Sequence, residues 1–96
     1  MSDLTFASLR AVIDQWIGMI GVQQNRRLAP LHEDQSLFNF GFDSLCFAIL
    51  VERLETEFGL DPFMDIADDE VPNTLGEFYN LYARALIPTG PQVKRA

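Results

Sequence analysis

Apolar residues near the start of the chain recur at three- and four-residue steps: Leu9, Val12, Ile13, Trp16, Ile17 and Ile20. On a helix they form one broad stripe, which predicts a helix from Asp3 to Ile20 with that stripe in a core. Asp3 is placed to cap its start and Gly21 to end it. A second such pattern runs from Ser44 to Phe58, where Phe47, Leu50, Val51, Leu54 and Phe58 share a face and Gly59 supplies the stop. At 100° per residue the opposite face carries Leu45, Ala48, Ile49, Glu52, Arg53 and Thr56, so the exposed start of this helix is apolar. Such a cluster beside a loop either lies under another segment or marks a docking surface. The third stripe is Leu75, Phe78, Tyr79, Tyr82 and Leu86. Its opening, Thr74-Leu75-Gly76-Glu77, has the form of a capping box, with Thr74 at the N-cap and Glu77 reaching back. Pro88 marks its stop. Gly76 and the tyrosines lower the intrinsic propensity, so packing must hold this helix.

The segments between the stripes are less regular. Residues 22–43 form a long connection with no sustained period, which is unusual in a small domain and often functional. Leu28, Leu31, Leu37, Phe38, Phe40 and Phe42 are spaced to pin it across the core, and Ser36-Leu37-Phe38-Asn39 suits one short helical turn. After Pro62, Phe63 to Glu70 reads as one short helix. Its acids lie at the end where the macrodipole favours cations, and Pro72 ends it. The expected fold is all-α: a small antiparallel bundle of three main helices plus one short helix, with a long loop between the first two main helices.

Length and composition narrow the picture. With 96 residues the chain is expected to be one domain, over residues 1–87. Residues 88–96, with two prolines, a glycine and no apolar rhythm, are expected to be a mobile tail. An apolar content of 48% with eight Phe excludes disorder for the middle of the chain. The single cysteine, Cys46, excludes an intrachain disulfide and reads as a small apolar residue in a reducing compartment. There is no secretory leader and no apolar run of the roughly 18–20 residues that would span a bilayer, so a cytoplasmic address is expected; the chain is taken to be a monomer.

A net charge of −7 argues against non-specific nucleic-acid binding. The acids Asp43, Glu52, Glu55, Glu57, Asp61, Asp65, Asp68, Asp69, Glu70 and Glu77 crowd the second half, where Arg53 is the only base before Arg84. Such a half either suits basic partner surfaces or is a solvated face.

Little in the sequence supports catalysis by the chain itself. Ser44 as a nucleophile would need a base, and the one histidine, His32, reads as a surface residue of the long connection. Gly41-Phe42-Asp43-Ser44 lacks the second glycine of a nucleophile elbow. The acids from Asp61 to Glu70 lack the order of a calcium loop, and no glycine-rich phosphate loop is present. What remains is Ser44, a serine at a loop–helix junction between Asp43 and Leu45. There it is either an ordinary cap or a residue modified from outside, since a helix start tolerates an attached phosphate group.

Over Leu9 to Leu86 the chain resembles the acyl carrier protein family, which includes peptidyl and aminoacyl carriers. The resemblance rests on Gly41-Phe42-Asp43-Ser44-Leu45, followed by an apolar helix ending in Glu55-Thr56-Glu57-Phe58-Gly59, together with the helix order, the long first loop and the acidic second half. It implies that a separate phosphopantetheinyl transferase joins 4′-phosphopantetheine from coenzyme A to Ser44 through a phosphodiester. The arm's terminal thiol would hold an acyl or aminoacyl group as a thioester. Asp43 would sit beside the linkage and assist modification. Leu45, Ala48, Ile49 and Glu52 would form the face read by an acyl- or aminoacyl-loading ligase and by acyl-transferring enzymes. The chain would not be an enzyme, and would hold no resident metal.

One departure matters. Carriers of fatty-acid synthesis have strongly acidic residues just after the serine-leucine pair, whereas here Cys46, Phe47, Ala48 and Ile49 follow and the first acid is Glu52. That points to a dedicated carrier of a specialised acyl, lipid or secondary-metabolite pathway, which is also expected to be free-standing. Two alternatives stay open: an aminoacyl or peptidyl carrier with a dedicated ligase, and a small helical interaction module without a prosthetic group. In a carrier, the Cys46 thiol, two residues from the attachment point, has a further reading as a neighbour of the arm.

Overall fold

The computed structural model describes residues 5–37 and 39–86, and the backbone but not the side chain of Asp65. Three α-helices, α1 (Phe6–Gln23), α2 (Ser44–Phe58) and α3 (Leu75–Leu86), enclose one core, and no strand occurs among the described residues. α1 packs against both α2 and α3. Its stripe of Leu9, Ile13, Ile17 and Ile20 is buried, with Val12 and Trp16 at the half-buried edges. α3 contributes Leu75, Phe78, Tyr79 and Tyr82 to the same core, and the long connection contributes Leu37, Phe40 and Phe42. Among the described residues no helix is long and apolar enough to cross a membrane. The expected tail, residues 88–96, and the expected stop at Pro88 lie outside the described residues.

Both predicted ends of α1 are corrected. Its N-cap is Thr5, not Asp3: the Thr5 hydroxyl accepts from Ser8 N–H at 3.1 Å, and the Ser8 hydroxyl accepts from Thr5 N–H at 2.9 Å. These two bonds satisfy two amides that the helix leaves open. Asp3 itself lies outside the described residues. Nor does Gly21 stop the helix, which runs on to Gln23. Asn25 takes the left-handed conformation instead, with φ 58°. Asn25 N–H donates to the Val22 carbonyl and Arg26 N–H to the Gly21 carbonyl, the paired bonds of a Schellman motif. Gly21 is spent on packing, because a Cβ there would fall 2.8 Å from Leu28 Cδ1.

α2 runs over the expected residues, from Asp43 as N-cap to Gly59, which closes it at φ 80°. Its buried stripe is rotated from the expected face. Cys46, Leu50 and Leu54 are fully buried, and Phe47, Val51 and Phe58 are half-buried on one flank. Ile49, placed on the open face by the sequence, is half-buried against the core. One turn on, the Arg53 guanidinium lies 5.7 Å from the centre of the Trp16 ring of α1. A helix lying between neighbours needs a wider apolar arc than one stripe supplies.

The expected short helix from Phe63 to Glu70 is two separate 3₁₀ turns, Pro62–Asp65 and Asp68–Glu70, with Ile66 and Ala67 extended between them. The break has an electrostatic reason. One continuous helix would end on Asp68, Asp69 and Glu70, against its dipole, whereas in two turns these acids open the second. There the Glu70 carboxylate accepts from Ala67 N–H at 2.9 Å.

The long connection is stitched to the start of α3. Gly76 N–H donates to the Glu33 carbonyl, Leu75 N–H to Gln35 and Leu37 N–H to Asn73, around an isolated antiparallel bridge between Ser36 and Thr74. Gly76 therefore belongs to the contact, since a Cβ there would lie 2.9 Å from the Glu33 carbonyl oxygen. Thr74 accepts from Glu77 N–H as expected, but the Glu77 carboxylate reaches one residue further back, to Asn73 N–H at 2.7 Å. Asn39 N–H donates to the Ser36 carbonyl at 3.2 Å, across the segment expected to make a short helical turn. Phe38, expected to help pin the connection, lies outside the described residues.

Candidate functional site

Ser44 is the first residue of α2, and it is exposed. Asp43 sets the helix start: its Oδ1 accepts from Cys46 N–H at 3.0 Å. Its Oδ2 accepts from both Nε and Nη2 of Arg26, at 3.1 and 2.7 Å. The Cys46 amide, then the Arg26 guanidinium, hold the Asp43 carboxyl down to about 2. Because Asp43 is the cap, the Ser44 hydroxyl is not needed for that task. The reading of Ser44 as an ordinary cap is therefore displaced by one residue.

The approach to the site is fixed by backbone contacts. Ala29 N–H donates to the Phe40 carbonyl at 2.9 Å. Gly41, at φ 98°, passes so close to the preceding strand of connection that a Cβ would fall 2.3 Å from the Arg27 carbonyl oxygen. No side chain fits there, and the left-handed conformation adds strain for any L residue other than glycine. Phe42, next along, is buried, and its ring meets Phe47 edge-on at 4.8 Å. The chain thus enters α2 with Phe42 turned inward and Asp43, Ser44 and Leu45 outward.

Beside Ser44 lies an open groove of about 520 Å³ between α2 and the segment leading into α3. Ser44 is at its edge. Phe47, Ala48 and Val51 form one wall, Phe63, Val71 and Pro72 the other, with Leu37 and Phe78 also lining it. The lining is almost wholly apolar. A groove of this shape can take a flexible apolar chain attached at its edge, and Ser44 supplies a hydroxyl there. These residues fit a prosthetic group joined to Ser44 with its distal end turned into the groove.

The other residues singled out from the sequence fall as follows. Leu45 is 52% exposed, and Ala48 and Glu52 are also exposed. Ile49 shares their helix but is drawn toward the core. Cys46 is fully buried, and its thiol is raised by burial and by its hydrogen bond to Asp43. It behaves as a small apolar core residue, and an inward, protonated thiol is poorly placed to meet an arm on Ser44. His32 is exposed. Among the described residues no group of three or more His, Cys, Asp or Glu side chains could hold a metal ion.

Two parts of the site were not foreseen. The far wall of the groove comes from Phe63, Val71 and Pro72, residues read only as parts of a short helix and its stop. The available signal was Val71, an apolar residue between an acidic run and a proline, which is 47% exposed. The other is Arg26, whose contact with Asp43 spans 17 positions and has no periodic signature.

A family model described as the phosphopantetheine attachment site matches residues 5–79. No curated protein and no solved structure matches the chain.

Proposed function

The chain belongs to the phosphopantetheine attachment site family, and on that premise we propose that Ser44 is the residue modified and that the cargo is an acyl group. Domains of this family are where 4′-phosphopantetheine is covalently attached, and the chain is a carrier protein for that group. The observation that carries the choice of Ser44 is its exposed hydroxyl at the first position of α2, on the edge of the apolar groove.

Modification is catalysed by a separate transferase. The Ser44 oxygen forms a bond to the coenzyme A phosphorus that bears pantetheine. The bond from that phosphorus to the bridging pyrophosphate oxygen breaks, the nucleotide leaves, and the serine proton passes to a base of the transferase. Asp43 stands beside the new linkage and keeps the α2 amide of Cys46 capped, so that Ser44 is held at a rigid helix start. When bound, the group supplies a thiol that holds cargo as a thioester. Phe47, Ala48, Val51, Phe63 and Val71 then offer an apolar chain a sheltered resting place. A charged amino group would find no partner along those walls, which supports an acyl rather than an aminoacyl cargo.

The docking face is Leu45, Ala48 and Glu52, with Ile49 as its half-buried floor. Its first two turns hold no acid after Asp43. Partners that read an acidic helix start would lose their ion pairs here, which supports a dedicated loading ligase and a specialised acyl pathway. The carrier unit is residues 1–87, acting as a monomer in the cytoplasm.

Incubation with coenzyme A, Mg²⁺ and a broad-specificity transferase is expected to add the mass of one phosphopantetheinyl group, and Ser44→Ala to abolish the gain. No gain on the wild type leaves a helical interaction module as the better reading, and a gain that survives Ser44→Ala rules out Ser44. Loading by fatty-acyl and aminoacyl ligases then separates the cargo classes. Efficient turnover only by fatty-acid elongation enzymes would sink the specialised pathway.

A further inference from the structure

Arg26 reaches Asp43, the residue before Ser44, from the other end of the long connection. The Schellman motif that ends α1 fixes its backbone, through the bond from Arg26 N–H to the Gly21 carbonyl at 2.8 Å. From there the chain lies alongside the entry to α2, held by the Ala29–Phe40 hydrogen bond and the close pass of Gly41. The side chain is held as firmly. Nη1 donates to the Gln24 carbonyl at 2.7 Å, while Nε and Nη2 converge on Asp43 Oδ2. With Oδ1 taken by the Cys46 amide, both carboxylate oxygens are engaged.

The electrostatics of the reaction give this clamp a use. Modification brings a pyrophosphate to Ser44 and leaves a phosphodiester there, directly after a carboxylate in the chain. Two anions at neighbouring residues repel, and a cation shared between them removes the conflict. A guanidinium has five N–H donors. Three are used in the bonds just described, and two of these three pair its charge with the Asp43 carboxylate.

Resting on the reading of Ser44 as the attachment residue, we propose that Arg26 is a positioning residue for that modification. It locks the Asp43 carboxylate in place and offsets its charge, so that the phosphate of the incoming nucleotide can approach Ser44. Arg26 touches neither the serine nor the bond that breaks; it acts through Asp43. Arg27, one residue on, is exposed and meets Gly41 through its backbone, so it serves as the matched control.

The test follows mass gain over time on the full chain, with coenzyme A, Mg²⁺ and transferase, at low and raised salt. Urea midpoints are measured alongside for every variant. Arg26→Ala is expected to lower kcat/KM for the carrier about fivefold at low salt, the upper size of an exposed ion-pair effect. Raised salt should shrink that gap, because screening weakens the exposed repulsion. Arg26→Lys should recover most of the rate, and Arg27→Ala should match the wild type. The Asp43 carboxyl, followed by carbon NMR, should titrate higher in Arg26→Ala than in the wild type. A wild-type rate for Arg26→Ala overturns the proposal, as does an Arg26→Lys variant no faster than Arg26→Ala while both keep the wild-type urea midpoint. Neither result touches the assignment of Ser44, which fails only if the wild type gains no mass or Ser44→Ala still does.

Discussion

Tyr79 and Tyr82 lie one turn apart on α3, and both are fully buried. Removing the same oxygen from each should change stability in opposite directions. The Tyr79 hydroxyl donates to Asp14 Oδ1 on α1, and the Arg10 guanidinium covers its ring at 5.0 Å. The Tyr82 ring packs against Phe58, Phe63 and Phe78, and its buried hydroxyl has no hydrogen-bond partner among the described residues. Folding strips water from both hydroxyls, and only the first regains a bond. An unsatisfied buried group costs about 1–3 kcal/mol, so Tyr82→Phe should stabilise the fold by about 1 kcal/mol. A hydrogen bond to a charged partner contributes about 1.5–3 kcal/mol. Asp14 keeps Arg10 at 3.5 Å and some access to water, so Tyr79→Phe should cost the lower figure, about 1.5 kcal/mol. The two variants then differ by about 2.5 kcal/mol. Urea titration measures this directly: at a slope near 1 kcal/mol per molar, their midpoints should stand about 2.5 M apart, with slopes unchanged. A Tyr82→Phe midpoint below the wild type would refute the reasoning, because it would mean that the hydroxyl has a partner in the folded state.

Gly41→Ala should destabilise the chain by more than about 2 kcal/mol, since it meets both backbone strain and the Arg27 carbonyl; a melting temperature within a degree or two of the wild type would contradict that close pass. Asp43 should titrate near pH 2 by carbon NMR. Its folded value lies below its ordinary 3.8, so its contribution to stability is complete above that value and fades as pH falls toward 2. At the other extreme, burial raises both Tyr79 and Tyr82 above the ordinary phenol value of 10.0. Stability that is complete below pH 10 should therefore be lost as pH rises further, and Tyr82→Phe should reduce that alkaline loss in a pH-dependent melt. Val51→Trp should fill the groove beside Ser44 and expose a loaded medium-length acyl chain, raising thioester hydrolysis several-fold without lowering the rate at which the arm is attached.

The helices were legible because burial imposes a period. Leu9, Ile13, Ile17 and Ile20 could hardly be arranged otherwise, and Thr74 and Gly59 mark ends through local bonds that need no partner elsewhere. Several failures share one cause: they depend on what comes from a distance. Gly21 looks like a stop until Leu28 packs on it, and Asn25 looks unremarkable until the chain must turn toward Phe40. Ile49 was assigned outward because a helical wheel knows of one neighbour, whereas α2 is packed on more than one side. Ser44 could be singled out from its immediate neighbours, and its modification is the proposal that the mass-gain experiment tests. The groove and Arg26 could not, because each joins residues from segments whose meeting is decided by the tertiary fold. Phe63 through Pro72 carried competing signals, a short apolar start and an acidic finish, and electrostatics settled them as two turns.

The stitching of the connection to the start of α3 makes the stitched lining of the groove, beside the α2 wall, mechanically unlike the far wall. Leu37 and Phe78 belong to the side in which Glu33, Gln35 and Asn73 exchange backbone bonds with α3 and the connection. Shifting that side means parting several bonds at once. Phe63 and Val71 hang instead on two short 3₁₀ turns with an extended link between them. The groove is a vice with one fixed and one sliding jaw, and a longer chain would be accommodated by movement of residues 62–71 while Ser44 keeps its place.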